Sequence, residues 1–277
     1  MTAPATNVLH YDGPITIATE ASRHAKTWKN TEMLWSALVA RLGRTNRTGE
    51  TIAEYLALPK GRQDDIKDVG GFVGGALKEG KRSTGTVAWR HVLTLDADFA
   101  DASFWGRVQL MSGCACCLYS THKHRPDAAR LRLVIPLARA VTPEEYLAVS
   151  KRIAADIGID LFDDTTFEPS RLMYWPSTSA DGEFVFEVQD EKWLEPDEVL
   201  ARYSDWRDPS FWPESSRTRD KRKKSADKQG DPLEKPGLIG TFCRTYSIQD
   251  AIETFLSDEY EPAGADRFTY KKGSTAA

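Results

Sequence analysis

Two aspartates, Asp96 and Asp98, are separated by a single alanine and follow the apolar residues Val92, Leu93 and Leu95. Successive side chains of a β-strand point to opposite faces, so residues two apart point to the same face. Two carboxylates held side by side repel each other, and a divalent cation that bridges them to substrate phosphates relieves the repulsion. The pair therefore predicts a Mg²⁺ or Mn²⁺ site, and the alternative is a solvated acidic loop.

A second polar group follows the apolar residues 114–119. Ser120 supplies a hydroxyl, and His122 and His124 supply imidazoles on either side of a lysine. Such groups at the end of a strand can bind a triphosphate, and the alternative is a polar loop in solvent. We expect His122 to be the phosphate contact, because it lies nearer the buried strand, whereas His124 leads into a turn.

Three cysteines precede this group, and a zinc site could be drawn from Cys114, Cys116, Cys117 and His122. A run of small apolar residues is more typical of a buried strand, so we interpret the cysteines as core residues.

A third polar group follows a predicted helix, at positions 160–171. It contains Asp160, Asp163, Asp164, Glu168 and Arg171. A cluster of acids is often only a solvated loop, but this one could supply a third carboxylate to a metal site. Three polar groups that each follow a strand or a helix favour one shared site over three unrelated loops.

The elements that must position these groups alternate between strands and helices. The helix at 143–157 has the clearest ends, because Thr142 and Glu145 form a capping box and Gly158 follows it. Strands and helices interleave without a regular β-α-β repeat, so we expect an α+β or mixed α/β fold. Strands are predicted at residues 15–19, 87–95, 114–120, 131–137, 171–175 and 184–188, the last two as a hairpin, and helices at 31–42, 48–55, 103–112, 143–157 and 248–256.

A strand that leads into Asp96 and Asp98, a later Ser120-Thr-His122 and a final aspartate resemble the three-motif signature of the archaeo-eukaryotic primase superfamily. Within that superfamily the chain is most similar to primases and primase–polymerases of phages and mobile elements, in which this domain often precedes a helicase. The resemblance covers residues 14–200, and the tail from 235 to 270 is also similar to the region after the core in that group. The segments that carry it are residues 67–75, 119–122, 130–136 and 169–176.

The resemblance implies a DNA primase or template-dependent DNA polymerase that joins nucleotides with two Mg²⁺ or Mn²⁺ ions. It makes Asp96, Asp98 and Asp163 the metal ligands, with Asp164 as an alternative to Asp163 and Asp160 as a weaker one. The implied fold is a small curved sheet similar to an RNA-recognition fold, packed beside an N-terminal α/β unit.

Further residues are assigned to substrates. The resemblance makes Ser120 and His122 contacts to the phosphates of the incoming nucleotide, with His122 also stabilising charge during the reaction. Arg130 and Arg132 alternate on one strand face and, with Arg171, are predicted to bind the same nucleotide. The predicted nucleic-acid contacts are Lys81, Arg82, Arg222, Lys223 and Lys224.

A glycine-rich segment at 70–75 precedes Lys81 and Arg82. It is not a phosphate-binding P-loop, because no Gly-Lys-Ser/Thr closes it. We interpret it as a tight turn between strands or a contact to nucleic-acid phosphates.

Composition and charge limit the possible functions. The chain has 277 residues, of which 40% are hydrophobic and 28% charged, with a net charge of −4, which argues against a uniformly basic nucleic-acid coat. Residues 214–228 hold seven Lys and Arg against three acids, so the remainder carries about −8. An acidic body with one basic strip suits a metal enzyme that meets phosphates in a restricted place.

The sequence also predicts location and domain organisation. No run of about 18 apolar residues predicts a membrane span, and residues 1–6 lack a signal-peptide pattern, so a cytoplasmic protein is expected. We predict a catalytic domain at 1–205, a basic flexible linker at 206–236 and a helical segment at 237–277. The abrupt ending at 273–277 suggests a longer protein. The expected partners are a single-stranded DNA template, nucleoside triphosphates and a helicase module in the same or a neighbouring protein.

Two other functions fit parts of this pattern. A metal-dependent nuclease also uses clustered carboxylates and a histidine, but it gives no reason for the Ser120-Thr-His122 strand end and the Arg171 strand together. A non-catalytic replication-origin binding protein on the same fold should tolerate the loss of Asp96 and Asp98, whereas an enzyme should not.

Overall fold

The structure is a computed structural model that describes residues 9–229, 231–264 and 267–271. Residues 1–6 and 273–277, on which the expectations of location and of a longer protein rest, lie outside the described residues. The chain divides into one compact unit that ends at Ser216 and a second that begins at Arg217.

The first unit mixes strands and helices, which confirms the predicted α+β class. In chain order the elements are β1 (Pro14–Glu20), β2 (Lys29–Leu34), α1 (Trp35–Leu42), β3 (Asn46–Arg47), α2 (Ile52–Ala57), α3 (Lys60–Ile66), β4 (Gly71–Val73), β5 (Gly75–Leu77), β6 (Val87–Ala97), α4 (Phe104–Ser112), β7 (Cys116–Ser120), β8 (Leu131–Val141), α5 (Pro143–Ile157), β9 (Met173–Tyr174), β10 (Ser177–Thr178), β11 (Phe186–Gln189) and α6 (Pro196–Leu200).

A five-stranded antiparallel sheet forms the centre of this unit. Its strand order is β11-β7-β8-β6-β5, and β6 and β8 are the longest strands, with 11 residues each. A second sheet has the order β2-β1-β4-β9, and β3 and β10 form a short parallel pair.

The two faces of the central sheet belong to two hydrophobic cores. On β6, Leu93 and Leu95 pack in one core with helices α4 and α5, while Val92 packs in the other with β1, α1 and β9. This is the period-two alternation of a strand buried on both faces. Asp96 has the same parity as Val92, so it lies on the face turned towards the second sheet.

The glycine-rich segment forms strands β4 and β5 and is not the predicted tight turn. β4 belongs to the second sheet and β5 to the central sheet, so the chain crosses from one sheet to the other at Gly74. A Cβ on Gly75 would lie 2.0 Å from the carbonyl oxygen of Trp89, and one on Gly71 would lie 2.4 Å from that of Met173. The close approach of neighbouring backbones explains why these positions hold glycine.

Two local predictions are wrong. Residues 31–42 were expected to form one helix, but residues 29–34 form β2, which pairs antiparallel with β1, and the helix begins at Trp35. Its buried stripe of Trp35, Leu38 and Leu42 excludes Leu34, which is 51% exposed. Strand β11 pairs with β7 and not with the segment at 171–175. The hairpin prediction was wrong because the local sequence pattern does not reveal a partner that is distant along the chain. The capping box of α5 is confirmed.

The predicted linker is structured over most of its length. Trp206 and Trp212 pack against the hydrophobic core of the first unit, and the indole N–H of Trp212 donates to the carbonyl of Trp206 at 2.7 Å. The first compact unit therefore extends to residue 216, beyond the domain boundary predicted at 205. Residues 216–229 form a helix, which is consistent with a stretch that lacks Gly and Pro and is rich in Lys and Arg.

The second unit is small, and three aromatic rings on two of its helices pack together: Phe242, Tyr246 and Phe255. Its elements are α7 (Ser216–Gln229), α8 (Gly237–Thr245), α9 (Ile248–Phe255), β12 (Tyr260–Gly264) and β13 (Arg267–Tyr270). Among the described residues of the whole chain, no helix is both long enough and apolar enough to cross a bilayer.

Candidate active site

The candidate site is built on the ends of three adjacent strands of the central sheet. Asp96 on β6 lies directly opposite Arg132 on β8, and Arg132 lies directly opposite Tyr119 on β7. Because the neighbours of these residues face the helices, the three polar side chains share the opposite face. A carboxylate, a guanidinium and a phenol are thereby placed side by side.

Asp96 and Arg132 form a nearly buried ion pair. The Nε of Arg132 lies 2.5 Å from Oδ1 of Asp96. Arg132 is 6% exposed and Asp96 is 7% exposed. Arg132 also donates to the hydroxyl of Tyr119 at 2.8 Å and to the carbonyl of Tyr174 at 3.0 Å. Burial raises the pKa of Tyr119 to about 12, although Arg132 opposes the shift, so the phenol stays protonated. Arg132 therefore fixes the position of Asp96.

Asp163 joins Asp96 through the backbone and through a shared arginine. Its N–H donates to the carbonyl of Asp96 at 2.9 Å. Arg171 lies between the two carboxylates, with Nη2 3.2 Å from Oδ2 of Asp163 and Nε 4.0 Å from Oδ2 of Asp96. Asp163 also begins a short 3₁₀ turn, since its carboxylate accepts from the N–H and hydroxyl of Thr165.

Asp98 lies just past the end of β6 and pairs with Arg130 at 2.7 Å. Both side chains are about a third exposed, at 37% and 35%. In this structure each of the three predicted metal ligands is therefore bound to an arginine. Asp96, Asp98, Asp163, Arg130, Arg132 and Arg171 all line one cavity of about 490 Å³.

The alternatives to Asp163 lie elsewhere. Asp164 accepts a hydrogen bond from the hydroxyl of Ser215 at 2.6 Å, and Asp160 accepts from the N–H of Ser216 at 2.7 Å. Neither lines the cavity. Both carboxylates accept hydrogen bonds from residues at the C-terminal end of the first unit.

His122 lines the same cavity, and both of its ring nitrogens have partners. Nδ1 lies 2.9 Å from Oγ of Ser177, and Nε2 lies 3.0 Å from Oε1 of Glu50. Burial lowers the pKa of His122, and the hydrogen bond to Glu50 offsets only part of that effect. A neutral imidazole that donates from Nε2 to Glu50 and accepts at Nδ1 from Ser177 satisfies every group.

Ser120 and His124 do not line the cavity. Ser120 is fully buried, and its hydroxyl oxygen accepts from the N–H of Val185 at 2.9 Å. It follows Tyr119 on the strand and so lies on the opposite face, and the predicted contact between Ser120 and a phosphate finds no support in this arrangement. His124 accepts at Nδ1 from the N–H of Arg130 at 3.2 Å, which fixes the loop.

The predicted nucleic-acid contacts are dispersed. Arg82 lines the cavity and donates to the carbonyl of Ser170 at 3.3 Å. Lys81 lies outside it and pairs with Glu79 on the surface. The remaining three lie on α7 in the second unit: Arg222, Lys223 and Lys224.

Several lining residues were missed from the sequence, and three of them belong to the segment around α3. Lys67 binds Asp64 at 2.7 Å, and Lys60 lies 3.4 Å from the same carboxylate. The spacing 60, 64, 67 places the three on one helical face, and this periodicity was a usable signal.

In the described part of the chain no carboxylate pairs with Lys123, whose pKa is lowered by burial and by neighbouring cations. Among the described residues, seven Lys and Arg and five Asp and Glu side chains line the cavity.

A fully buried arginine holds the Arg171 segment in place. Arg90 on β6 donates to the carbonyl of Pro169 at 2.6 Å and to Thr94 at 3.0 Å, and it lies 4.1 Å from the ring centroid of Tyr146. Burial lowers the pKa of Arg90, and Tyr146 partly opposes the effect. The bond to Pro169 ties the strand that carries Asp96 to the loop that carries Arg171.

The donor chemistry of the site fits Mg²⁺ or Mn²⁺. Asp96, Asp98 and Asp163 supply oxygen ligands only, as hard cations require, and they line the same cavity. Within the described ranges no three acidic, His or Cys side chains are already arranged around a metal position. A cation that took the carboxylate oxygens now bound by Arg130 and Arg171 would displace these two arginines.

The chain was compared with protein families, with curated proteins and with solved structures. The model of the VapE N-terminal domain family matches residues 2–215, which confirms the resemblance to primase domains of phages and mobile elements. No curated protein matches the chain. Among solved structures, the AEP domain of the primase–polymerase of cyanophage S-2L is similar, with 15% identity over 67% of this chain and 86% of that one and a TM-score of 0.37. The family match over most of its length shows that the chain belongs to the VapE N-terminal domain family.

Proposed function

We propose that this domain is a template-dependent nucleotidyltransferase, a DNA primase or primase–polymerase that uses nucleoside triphosphates. The observation that carries the proposal is the convergence of Asp96, Asp98 and Asp163 with Arg130 and Arg171 on one cavity. Acidic groups that can hold divalent cations stand beside cations that can hold phosphates, which is the combination that phosphoryl transfer requires.

The three arginines have different roles. Arg130 and Arg171 are about a third exposed, so they can turn from a carboxylate to a phosphate oxygen. Arg132 is buried and remains bound to Tyr119 and Tyr174, so it positions Asp96 and does not leave it.

Exchange of partners preserves the charge balance of the cavity. A nucleoside triphosphate with two divalent cations is close to neutral. Each arginine that leaves a carboxylate gains a phosphate, and each carboxylate that loses an arginine gains a cation. When bound, two Mg²⁺ or Mn²⁺ ions would lower the pKa of the attacking hydroxyl and neutralise the leaving pyrophosphate.

His122 is the proposed neutral donor to the triphosphate. Its Nε2–H is directed at Glu50 in this structure and can switch to a phosphate oxygen. Lys123 and the lysines at 60 and 67 add positive charge to the same wall of the cavity.

The test is incorporation of labelled nucleotides on a single-stranded DNA template, with Mn²⁺ or Mg²⁺. We expect product from the wild type and a loss of at least about 10²-fold for Asp96→Asn, Asp98→Asn and Asp163→Asn. Asp164→Asn is the matched control, because it changes the adjacent aspartate, which lies outside the cavity, and it should retain activity.

The same experiment separates the rival functions. Near wild-type extension by Asp96→Asn or Asp98→Asn would sink the polymerase assignment. Shortening of the template would indicate a nuclease. Template binding without incorporation, unaffected by loss of both aspartates, would indicate a non-catalytic binding protein.

A further inference from the structure

A second cavity, of about 610 Å³, lies beside the candidate active site. It is formed by the C-terminal end of α1, the loop after that helix and the segment between β9 and β10. Trp175 and Pro176 line both this cavity and the active-site cavity, so the two share a wall. Its polar lining residues are Arg41, Arg44, Thr45 and Asn46.

The charge of this second cavity differs from that of the first. None of the described residues that line it is acidic. Arg41 and Arg44 are exposed, and across residues 9–229, 231–264 and 267–271 neither has a carboxylate partner. By contrast, Arg130, Arg132 and Arg171 in the active-site cavity are each paired with an aspartate.

The side chain of Arg41 is held in a defined position. Its guanidinium lies 3.5 Å from the ring centroid of Trp175, and Phe72 also stacks on that indole, at 4.9 Å. Trp175 is only 4% exposed, so it acts as a rigid support for the arginine and is not itself accessible for stacking with a base. A guanidinium fixed in this way loses little conformational freedom when it binds an anion.

We propose that the second cavity binds backbone phosphates of the single-stranded template next to the active site. Arginine forks bind phosphate oxygens in pairs, and Thr45 and Asn46 add neutral hydrogen-bonding groups. A strand explains the geometry better than a second mononucleotide does. The described lining of this cavity offers no carboxylate to hold a metal, but it shares Trp175 and Pro176 with the active-site cavity.

This inference rests on the proposed function for the identity of the strand, but its test does not depend on catalysis. Binding of fluorescently labelled oligo-dT is measured by anisotropy over a range of salt concentrations, in the absence of nucleotide. We expect Arg41→Ala/Arg44→Ala to weaken binding at least about tenfold, because two phosphate-binding cations are removed. The slope of log affinity against log salt should fall by about 1.4, since each phosphate that the protein neutralises on a single strand contributes about 0.7.

Two further variants control the experiment. Arg107→Ala removes an exposed arginine from α4, which packs on the other face of the central sheet, and it should leave both quantities unchanged. Arg44→Ala alone lies outside the helix and the stacking contact, so it should fold normally and show about half of the slope change. Unfolding midpoints confirm the integrity of each variant.

Unchanged affinity and slope in the double variant, or an equal loss in Arg107→Ala, would overturn the proposal. So would the absence of measurable single-strand binding by the wild type. If no protein incorporates nucleotides while the arginine variants still lose binding, the strand site stands and the polymerase assignment fails.

Discussion

Asp96 and Arg132 occupy directly opposed positions on two neighbouring antiparallel strands, and their charged groups meet at 2.5 Å inside the protein. The pairing register alone therefore brings a predicted metal ligand and a predicted nucleotide contact together. Besides Asp96, Arg132 binds Tyr119 and the carbonyl of Tyr174, which hold it within the wall of the cavity. We therefore propose that Arg132 positions Asp96 and that Arg130 and Arg171 bind phosphate.

We expect Arg132→Met to lower the free energy of unfolding by about 3–5 kcal/mol, because it leaves the buried Asp96 carboxylate without its partner. Arg130→Met, which breaks a partly exposed pair, should cost no more than about 1 kcal/mol. Urea denaturation measures both. Adding Asp96→Asn to Arg132→Met should recover part of the loss, and equal losses in the two single variants would contradict this account.

Manganese should raise the thermal unfolding midpoint of the wild type, because a ligand that binds only the folded state stabilises that state. At a manganese concentration of 100 times the dissociation constant, the free energy of unfolding should rise by about 2.7 kcal/mol. Asp96→Asn/Asp98→Asn should show no such shift, whereas Asp164→Asn should shift like the wild type. Differential scanning fluorimetry with and without a chelator provides the measurement. A full shift in the double variant would place the cation elsewhere.

His122→Ala should raise the apparent Michaelis constant for nucleotide and lower turnover, with a combined loss of about 2–4 kcal/mol if the imidazole is a preorganised donor. His124→Ala should lose far less, because His124 lies outside the cavity and accepts from the backbone of Arg130. Steady-state kinetics at saturating template distinguishes them. An equal or larger effect at 124 would show that the wrong imidazole has been assigned.

The free energy of unfolding should fall as pH decreases from about 7.5 to about 5.5. Burial lowers the pKa of His91, His122 and His124, so below about 6.5 the unfolded chain binds protons that the folded protein does not. The stabilisation from neutral imidazoles is complete above the unfolded pKa and is lost as pH falls through the folded values. Urea midpoints at three pH values test this, and His124→Gln should flatten the dependence. Constant stability across the range would contradict it.

The basic side chains of α7 should contribute non-specific affinity for single-stranded DNA. Replacing Arg222, Lys223 and Lys224 with glutamine in one variant should reduce the slope of log affinity against log salt by up to about 2. Each phosphate contact that is lost contributes about 0.7. Anisotropy titrations with oligo-dT measure the slope. An unchanged slope would show that this face of the helix meets no phosphate.

Local sequence was sufficient wherever a short-range rule decides the outcome. Period-two alternation predicted that Asp96 and Asp98 point to the same side, and both line the cavity although Asp98 lies just past the end of β6. The capping box of α5 begins that helix where it was expected. Alternation also explains the position of Ser120: the residue after Tyr119 takes the opposite face of β7 and does not line the cavity.

Long-range pairing decided the rest. Residues 29–34 became a strand because β1 was available as a partner. Asp163 lines the cavity and donates its N–H to the carbonyl of Asp96, whereas Asp164 lies outside the cavity. The sequence contains the carboxylates and arginines but does not state which of them meet, because strand register and chain crossings between sheets set those distances. The sequence by itself determined the kinds of groups in the site and their strand ends, and the tertiary structure decided their partners.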